Sequence, residues 1–407
     1  MSDIDNSFDF DQVIDRTKSN SAKWNKKVLE KGFGDPDLLP MWVADMDFRS
    51  PQPIIEKLVQ TAEYGIYGYS ILPPSFFESV LSWFKRRYGW DIDKKWLSQT
   101  PGVIPALDVA VNAFCNSGDK VIVQNPVYYP FYPVIENNGC RLLLNPLKLS
   151  NNHYTMDFED LEKKVKDPRA KMIILCNPHN PIGRVWTKKE LKQLGEICIK
   201  NEILIVSDEI HCDLIFPGYK LTNFATINDE FAQNSITCTS TSKTFNLAGL
   251  KISNIVIPNQ KICQTFKNTQ ANFGVGGPNL FAVAAMETAY NHEICENWLD
   301  ALLQYLKGNL NFLKVFIKEK LPQIKVIEPE GTYLVWLDFR ELGLEPKELE
   351  KFMRGKAKVA LDEGYIFGQG GEGFERINIA CPKSILEEAL NRITEAIINM
   401  KKKADYD

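Results

Sequence analysis

A chain of 407 residues exceeds what one hydrophobic core usually supports, so two domains are expected. It is 44% hydrophobic and 25% charged with a formal net charge of −4, and so lacks the basic excess that nucleic acid or an anionic membrane surface would call for. The nine cysteines are scattered and never spaced C-x-x-C, the start is acidic and no apolar run reaches membrane-spanning length, which together predict a soluble cytoplasmic protein.

Residues 1 to 35 are polar with scattered aromatics and read as an arm or short helix. Leu38 to Phe48 is apolar but carries Asp45 and Asp47, acids that a buried loop must hydrogen-bond, which makes it a candidate pocket wall. Helical spacing covers 53 to 63 and 75 to 88, and between them Tyr64-Gly65-Ile66-Tyr67-Gly68-Tyr69-Ser70 has the composition of a turn presenting aromatic hydroxyls. Thr100-Pro101-Gly102 precedes a helical run, 106 to 117; a glycine just ahead of a helix leaves backbone N–H groups free to hold a phosphate.

From there short apolar strands alternate with helices: Val121 to Val123, Lys171 to Cys176, a helix over 188 to 200, Ile203 to Ser207, and Ile236 to Thr239. This alternation predicts an α/β fold, a mostly parallel sheet covered by helices, with ligands at the carboxyl ends of the strands. Tyr128, Asn180, Asp208 and Lys243 all fall at or just after such ends. Lys243 follows Ser240-Thr241-Ser242 and precedes a glycine-containing turn and the strand-like run Ile252 to Ile257. If that strand is buried, the ammonium is paired or its pKa falls, and a lysine with a lowered pKa forms a Schiff base with an aldehyde. The alternative is a solvated lysine in a Ser/Thr loop. Ser240, Ser242 and Lys251 are suited to a dianionic phosphate nearby.

Beyond residue 290 the pattern becomes α+β: a long helix over 293 to 319, strands at Val326 to Pro329 and Gly331 to Asp338, a helix near 346 to 357, a strand into Tyr365-Ile366-Phe367, a strand from Phe374 to Ala380, and a closing helix over 384 to 402. The expected division is 1–48 as arm and part of a small domain, 49–289 as a large domain, and 290–407 as a small α+β domain. Gly368-Gln369-Gly370-Gly371-Glu372-Gly373 matches the dinucleotide-binding pattern letter for letter, but a strand follows where a helix is required, so a mobile or hairpin loop is expected. The four histidines lack zinc-ligand spacing, and no metal site is expected.

An aldehyde with a phosphate suggests pyridoxal phosphate, whose chemistry asks for five things. Lys243 is the amine that carries the aldehyde and shuttles the substrate's α-proton. Asp208 is the carboxylate facing the ring nitrogen, Asn180 the donor to the ring's phenolate oxygen, and Tyr128 the aromatic face. Arg376, alone in an apolar strand where an unpaired charge is expensive, is the clamp for a substrate carboxylate.

The order Asn-Pro-x-Asn-Pro-x-Gly at 177 to 183, Ser-Asp-Glu-Ile-His at 207 to 211, Ser-x-Ser-Lys at 240 to 243 and Arg-Ile-Asn at 376 to 378 resembles fold-type I pyridoxal-phosphate enzymes, the aspartate aminotransferase superfamily. Ala44 to Phe48, Ser242 to Gly249 and Glu330 to Leu334 are similar to the MalY/PatB group of carbon–sulfur β-lyases within it. The resemblance covers nearly the whole chain. It implies a seven-stranded large-domain sheet, a Schiff base on Lys243, and phosphate held by Gly102, the backbone at Val103 and Ile104, Ser240, Ser242 and Lys251. It also implies a homodimer in which Tyr69 reaches the neighbour's phosphate, and substrate contacts from Ala44, Tyr128, Asn180, Tyr333 and Arg376. His211 stands where aminotransferases commonly place a tyrosine, and Lys251 where they place an arginine; both departures match the lyase group. The implied activity is β-elimination from cystathionine, cysteine or S-conjugates to thiol or sulfide, pyruvate and ammonia. Transamination, or a regulator that binds a partner on the same fold, are the alternatives.

Overall fold

In the computed structural model, which describes residues 8 to 404 apart from Gly276 and Pro278, a seven-stranded sheet forms the centre. Its strands are β1 (Leu97–Thr100), β2 (Lys120–Val123), β3 (Arg141–Leu144), β4 (Ala170–Cys176), β5 (Leu204–Asp208), β6 (Ser235–Thr239) and β7 (Ser253–Val256). They lie in the order β1-β7-β6-β5-β4-β2-β3; β7 pairs antiparallel with both neighbours and every other ladder is parallel. Apart from Lys171, β4, β5 and β6 are buried throughout, because both faces of the sheet are covered. Ile174 and Val206 join the core on one face, Ile173 and Ile205 that on the other, as the two-residue strand period requires. Since β2, β4, β5 and β6 are successive neighbours, the chain leaving each delivers Tyr128, Asn180, Asp208 and Lys243 to one edge.

A second, antiparallel sheet consists of β8 (Lys325–Ile327), β9 (Leu334–Asp338), β10 (Asp362–Glu363) and β11 (Phe374–Asn378), in the order β8-β9-β11-β10. Its core is continuous with that around Trp83 and Phe245, so one apolar cluster runs from Phe10 to Ile397. The 28-residue helix Glu293–Lys320 and the closing helix Lys383–Ala404 cover this part. Of the expected arm, residues 1 to 7 lie outside the described residues; the rest holds a helix, Lys26–Phe33, capped by Asn25.

Several boundaries differ from expectation. The helix expected over 106 to 117 is Val103–Phe114: Pro105 sits inside its first turn, where the missing N–H has no helical acceptor to lose. The strand expected from Gly331 starts at Leu334, because Gly331 bridges to Ile215 and Thr332 takes a φ of 68°, breaking the ladder. Tyr365-Ile366-Phe367 is not a strand but part of the 3-10 turn Gly364–Phe367. Gly364 lies so close to the carbonyl of Gly371 that a side chain there has no room, and the strand-favouring aromatics pack instead, Phe367 against Trp336 at 5.3 Å. The glycine stretch 368 to 373 leads into β11 with no helix after it, and it joins the antiparallel pair β10 and β11 as the expected hairpin loop. Asn125 Nδ2 donates to the Gln369 carbonyl at 2.8 Å and Tyr132 Oη to that of Phe367 at 2.6 Å.

Candidate active site

At the carboxyl edge of β1, β2, β4, β5 and β6 a cavity of about 190 Å³ is lined by Ala44, Gly102, Val103, Ile104, Tyr128, Asn180, Asp208, His211, Ser240, Ser242, Lys243 and Lys251. Eleven residues expected to bind the cofactor thus meet in one place, together with Ala44, expected to contact the substrate. Tyr333 and Arg376 are buried but outside that lining, and Tyr69 is fully exposed and also outside it.

The chain leaves β6 at Thr239 and enters a one-turn helix, Thr241–Thr244. Ser240 caps it, its Oγ accepting from Ser242 N at 3.0 Å and donating to the Ile252 carbonyl at 2.7 Å. The one proton of Ser240 thus points to the backbone here, and its hydroxyl also lines the cavity at the end where phosphate is expected. Ser242, the exposed Lys251 and the first-turn N–H groups of Val103 and Ile104 remain as anion donors at that end. Gly102, at φ 139°, permits the chain to enter that helix straight from β1.

Lys243 Nζ donates to the Ala44 carbonyl at 2.7 Å, and Tyr333 Oη donates to the same oxygen at 2.9 Å. The loop that presents Ala44 is pinned as its acids predicted. Asp47 accepts from Lys23 Nζ at 2.6 Å and Trp24 Nε1 at 2.8 Å, while Arg16 bridges Asp45 and Asp47. Asn378 Nδ2 donates to the Val43 and Asp45 carbonyls at 2.6 Å each, and Asn246 Nδ2 to that of Met46 at 2.9 Å.

Burial, reinforced by the positive charge of Arg376, lowers the Lys243 pKa to about 8, with Asp45 and Asp208 opposing. Asp208 is raised to about 7 by burial; its carboxylate accepts from Ile210 N at 3.1 Å, and the charge of Lys243 opposes the shift. On the adjacent strands Asp208 lies opposite Cys176 and Cys238, neither of which supplies a counter-charge. His211 is kept neutral by burial and by the charges of Lys243 and Arg376, and its Nδ1 has no hydrogen-bond partner among the described residues. A buried acid without a cation in contact among the described residues, an amine of lowered pKa and anion-binding N–H groups, set around one cavity, fit a cationic heteroaromatic ring that carries an aldehyde and a phosphate.

Arg376, on β11, is 2% exposed. Its Nη1 donates to Asn180 Oδ1 at 2.9 Å, and its Nη2 to the Trp42 carbonyl at 3.0 Å and in close contact to Asp362. Nε is buried without a partner among the described residues, a donor left open. Asp362 and the Trp42 carbonyl escaped the sequence reading. Asp362 carried a signal, an acid following the apolar run Val359-Ala360-Leu361, the same signal that picked out Arg376.

Residues 38 to 393 match the model of the family described as aminotransferase class I and II. Over 388 residues the chain is 44% identical to cystathionine beta-lyase PatB of Bacillus subtilis, covering 95% of this chain and 99% of that protein. The crystal structure of cystalysin from Treponema denticola, which contains pyridoxal 5'-phosphate, superposes with a TM-score of 0.93 at 40% identity, covering 97% of this chain and 99% of that one. The PLP-bound C-S lyase of Staphylococcus hominis matches with a TM-score of 0.90 at 33% identity, over 97% and 99% of the two chains. With this cavity at the strand ends and these relatives over its whole length, the chain belongs to the class I and II aminotransferase family, in the branch that holds PatB, cystalysin and the C-S lyases.

Proposed function

We propose that this protein is a pyridoxal-phosphate-dependent carbon–sulfur β-lyase, cleaving cystathionine, cysteine or related S-conjugates to thiol or sulfide, pyruvate and ammonia with consumption of one water. The observation that carries the reading is Lys243, with its lowered pKa, facing the same cavity as the buried Asp208. Bound pyridoxal phosphate supplies an aldehyde to take up the substrate's amine and a protonated ring to draw the electron pair of the α-carbon. Asp208 holds the proton on the ring nitrogen, which a neutral residue could not do. Lys243, neutral in half its population near pH 8, accepts the α-proton at Nζ, and the Ala44 carbonyl accepts a hydrogen bond from the charged amine that results. Asn180 and Arg376 orient the substrate carboxylate, and the Cβ–S bond breaks with its electron pair leaving on sulfur. Release of pyruvate and thiol from cystathionine with no oxo-acid acceptor present is the expected result; a strict need for an acceptor would place the protein with the transaminases instead.

Only the neutral amine attacks an aldehyde, and its fraction rises with pH through the folded-state pKa before saturating above it. Capture of pyridoxal phosphate by the apoprotein, followed by growth of its visible absorbance, is therefore expected to quicken with rising pH and level off above about 8. A rate still climbing well beyond that would show an unperturbed lysine.

Arg376→Lys keeps the charge but loses planar, multi-pronged donation, so KM for the amino acid is expected to rise about 10- to 100-fold with a smaller change in kcat. Steady-state kinetics check this.

The protein acts as a homodimer in which Tyr69 meets the phosphate of the neighbouring site. Supporting this are Tyr64, Ile66, Tyr67, Tyr69 and Ile71, all at least 61% exposed within ten residues of chain and more apolar than a lone protomer requires. A dimer mass by light scattering, with weaker cofactor retention in Tyr69→Phe, is the expected result. We place the protein in the cytoplasm: its nine cysteines are all free, and no helix among the described residues is long and apolar enough to cross a membrane.

A further inference from the structure

Asp213 belongs neither to the cavity lining nor to any role assigned above, yet it is 4% exposed and carries a carboxylate. It lies two residues past His211 in the loop leaving β5, the strand that ends at Asp208. Its Oδ2 accepts from Thr244 Oγ1 at 2.7 Å and its Oδ1 from Tyr88 Oη at 2.5 Å. The Tyr88 hydroxyl is itself set by Trp83 Nε1 at 3.3 Å and lies 3.0 Å from Cys212 Sγ. Thr244, fully buried, is the residue after Lys243 and the last of its helix.

A helix of one turn cannot hold its own shape, because nucleation costs more than a single turn returns. The Lys243 helix is accordingly fastened at both ends, by Ser240 at its start and by Asp213 through Thr244 at its finish. The second fastening is the more informative. It joins the segment bearing the amine to the segment bearing Asp208 and His211, so a single carboxylate ties together the two stretches of chain that carry them.

We infer that Asp213, acting through Thr244, is a positioning residue that fixes Lys243 relative to Asp208; the inference rests on the cofactor chemistry proposed above. Burial raises the pKa of Asp213, and Tyr88, Thr244 and the nearby Arg87 oppose that rise, so its groups are matched to a charged acceptor. Thr244→Val preserves shape and β-branching and removes only the donor.

With holoenzyme at a temperature where far-ultraviolet circular dichroism shows each variant folded, Thr244→Val is expected to lower kcat about 100-fold with KM nearly unchanged, the loss a misplacement near 1 Å produces. The visible circular dichroism of the bound cofactor should weaken in parallel, and Thr244→Ser, which keeps the hydroxyl, should recover most of both. Should Thr244→Val not fold, Tyr88→Phe, which removes the other donor to Asp213, carries the same expectation. Wild-type kcat and cofactor dichroism in the folded variant would overturn the inference, as would equal losses in the valine and serine variants. A wild-type protein that neither binds pyridoxal phosphate nor releases pyruvate from cystathionine would instead contradict the proposed function.

Discussion

Replacing Lys243 with alanine is expected to abolish turnover, by about 10⁴-fold or more, because the covalent anchor and the proton acceptor are lost together. The fold should survive: the side chain makes one hydrogen bond, to the Ala44 carbonyl, and its burial already disfavours its charged form. An arginine there would restore the charge but not the reactivity, since a guanidinium stays protonated. Steady-state rates with cystathionine, alongside thermal unfolding of both variants, check the expectation. A variant that kept a tenth of the wild-type rate would remove Lys243 from the centre of the chemistry.

Asp208→Asn is expected to have two effects of opposite sign. Catalysis should fall about 10²- to 10³-fold, the loss typical of one preorganised electrostatic partner at a reacting group. The cofactor-free protein, however, should become more stable. Burial raises the folded-state pKa of Asp208 from 3.8 to about 7, so the folded protein binds this proton more tightly than the unfolded chain. Stability from this group is therefore present at low pH, declines as pH rises from about 4 to about 7 and is lost above that. Asparagine removes the decline. Melting temperatures of the two apoproteins should converge near pH 4 and diverge, with the variant higher, above pH 7. A site that gives up stability to keep an unpaired acid is what a functional constraint looks like, and the same substitution reads it from both sides.

Much of this site could be read from the chain because the relevant strands are short, apolar and ended by polar residues. β5 ends on Asp208, and Asn180 and Lys243 follow within four residues of the ends of β4 and β6, where parallel sheets place ligands. What the sequence could not reveal is adjacency. That β2 lies beside β4 is a matter of pairing, and Asp362 meets Arg376 only because β10 lies against β11. β1 escaped notice since Leu97-Ser98-Gln99-Thr100 is polar; its side chains are buried by hydrogen bonds, Ser98 Oγ to Gln270 Oε1 at 2.6 Å among them. The helix Leu280–Asn291 escaped for the opposite reason, being apolar nearly all round and so without a helical period to detect. Thr244 and Asp213 were hidden because a threonine and an aspartate in loops are ordinary until the fold puts them 2.7 Å apart.

The most direct test is to reduce the holoprotein with borohydride, digest it and locate the pyridoxyl label by mass spectrometry. The label is expected on the peptide that holds Ser240-Thr241-Ser242-Lys243, at Lys243 alone. Label on a different lysine, or none at all on protein that had bound pyridoxal phosphate, would contradict the account.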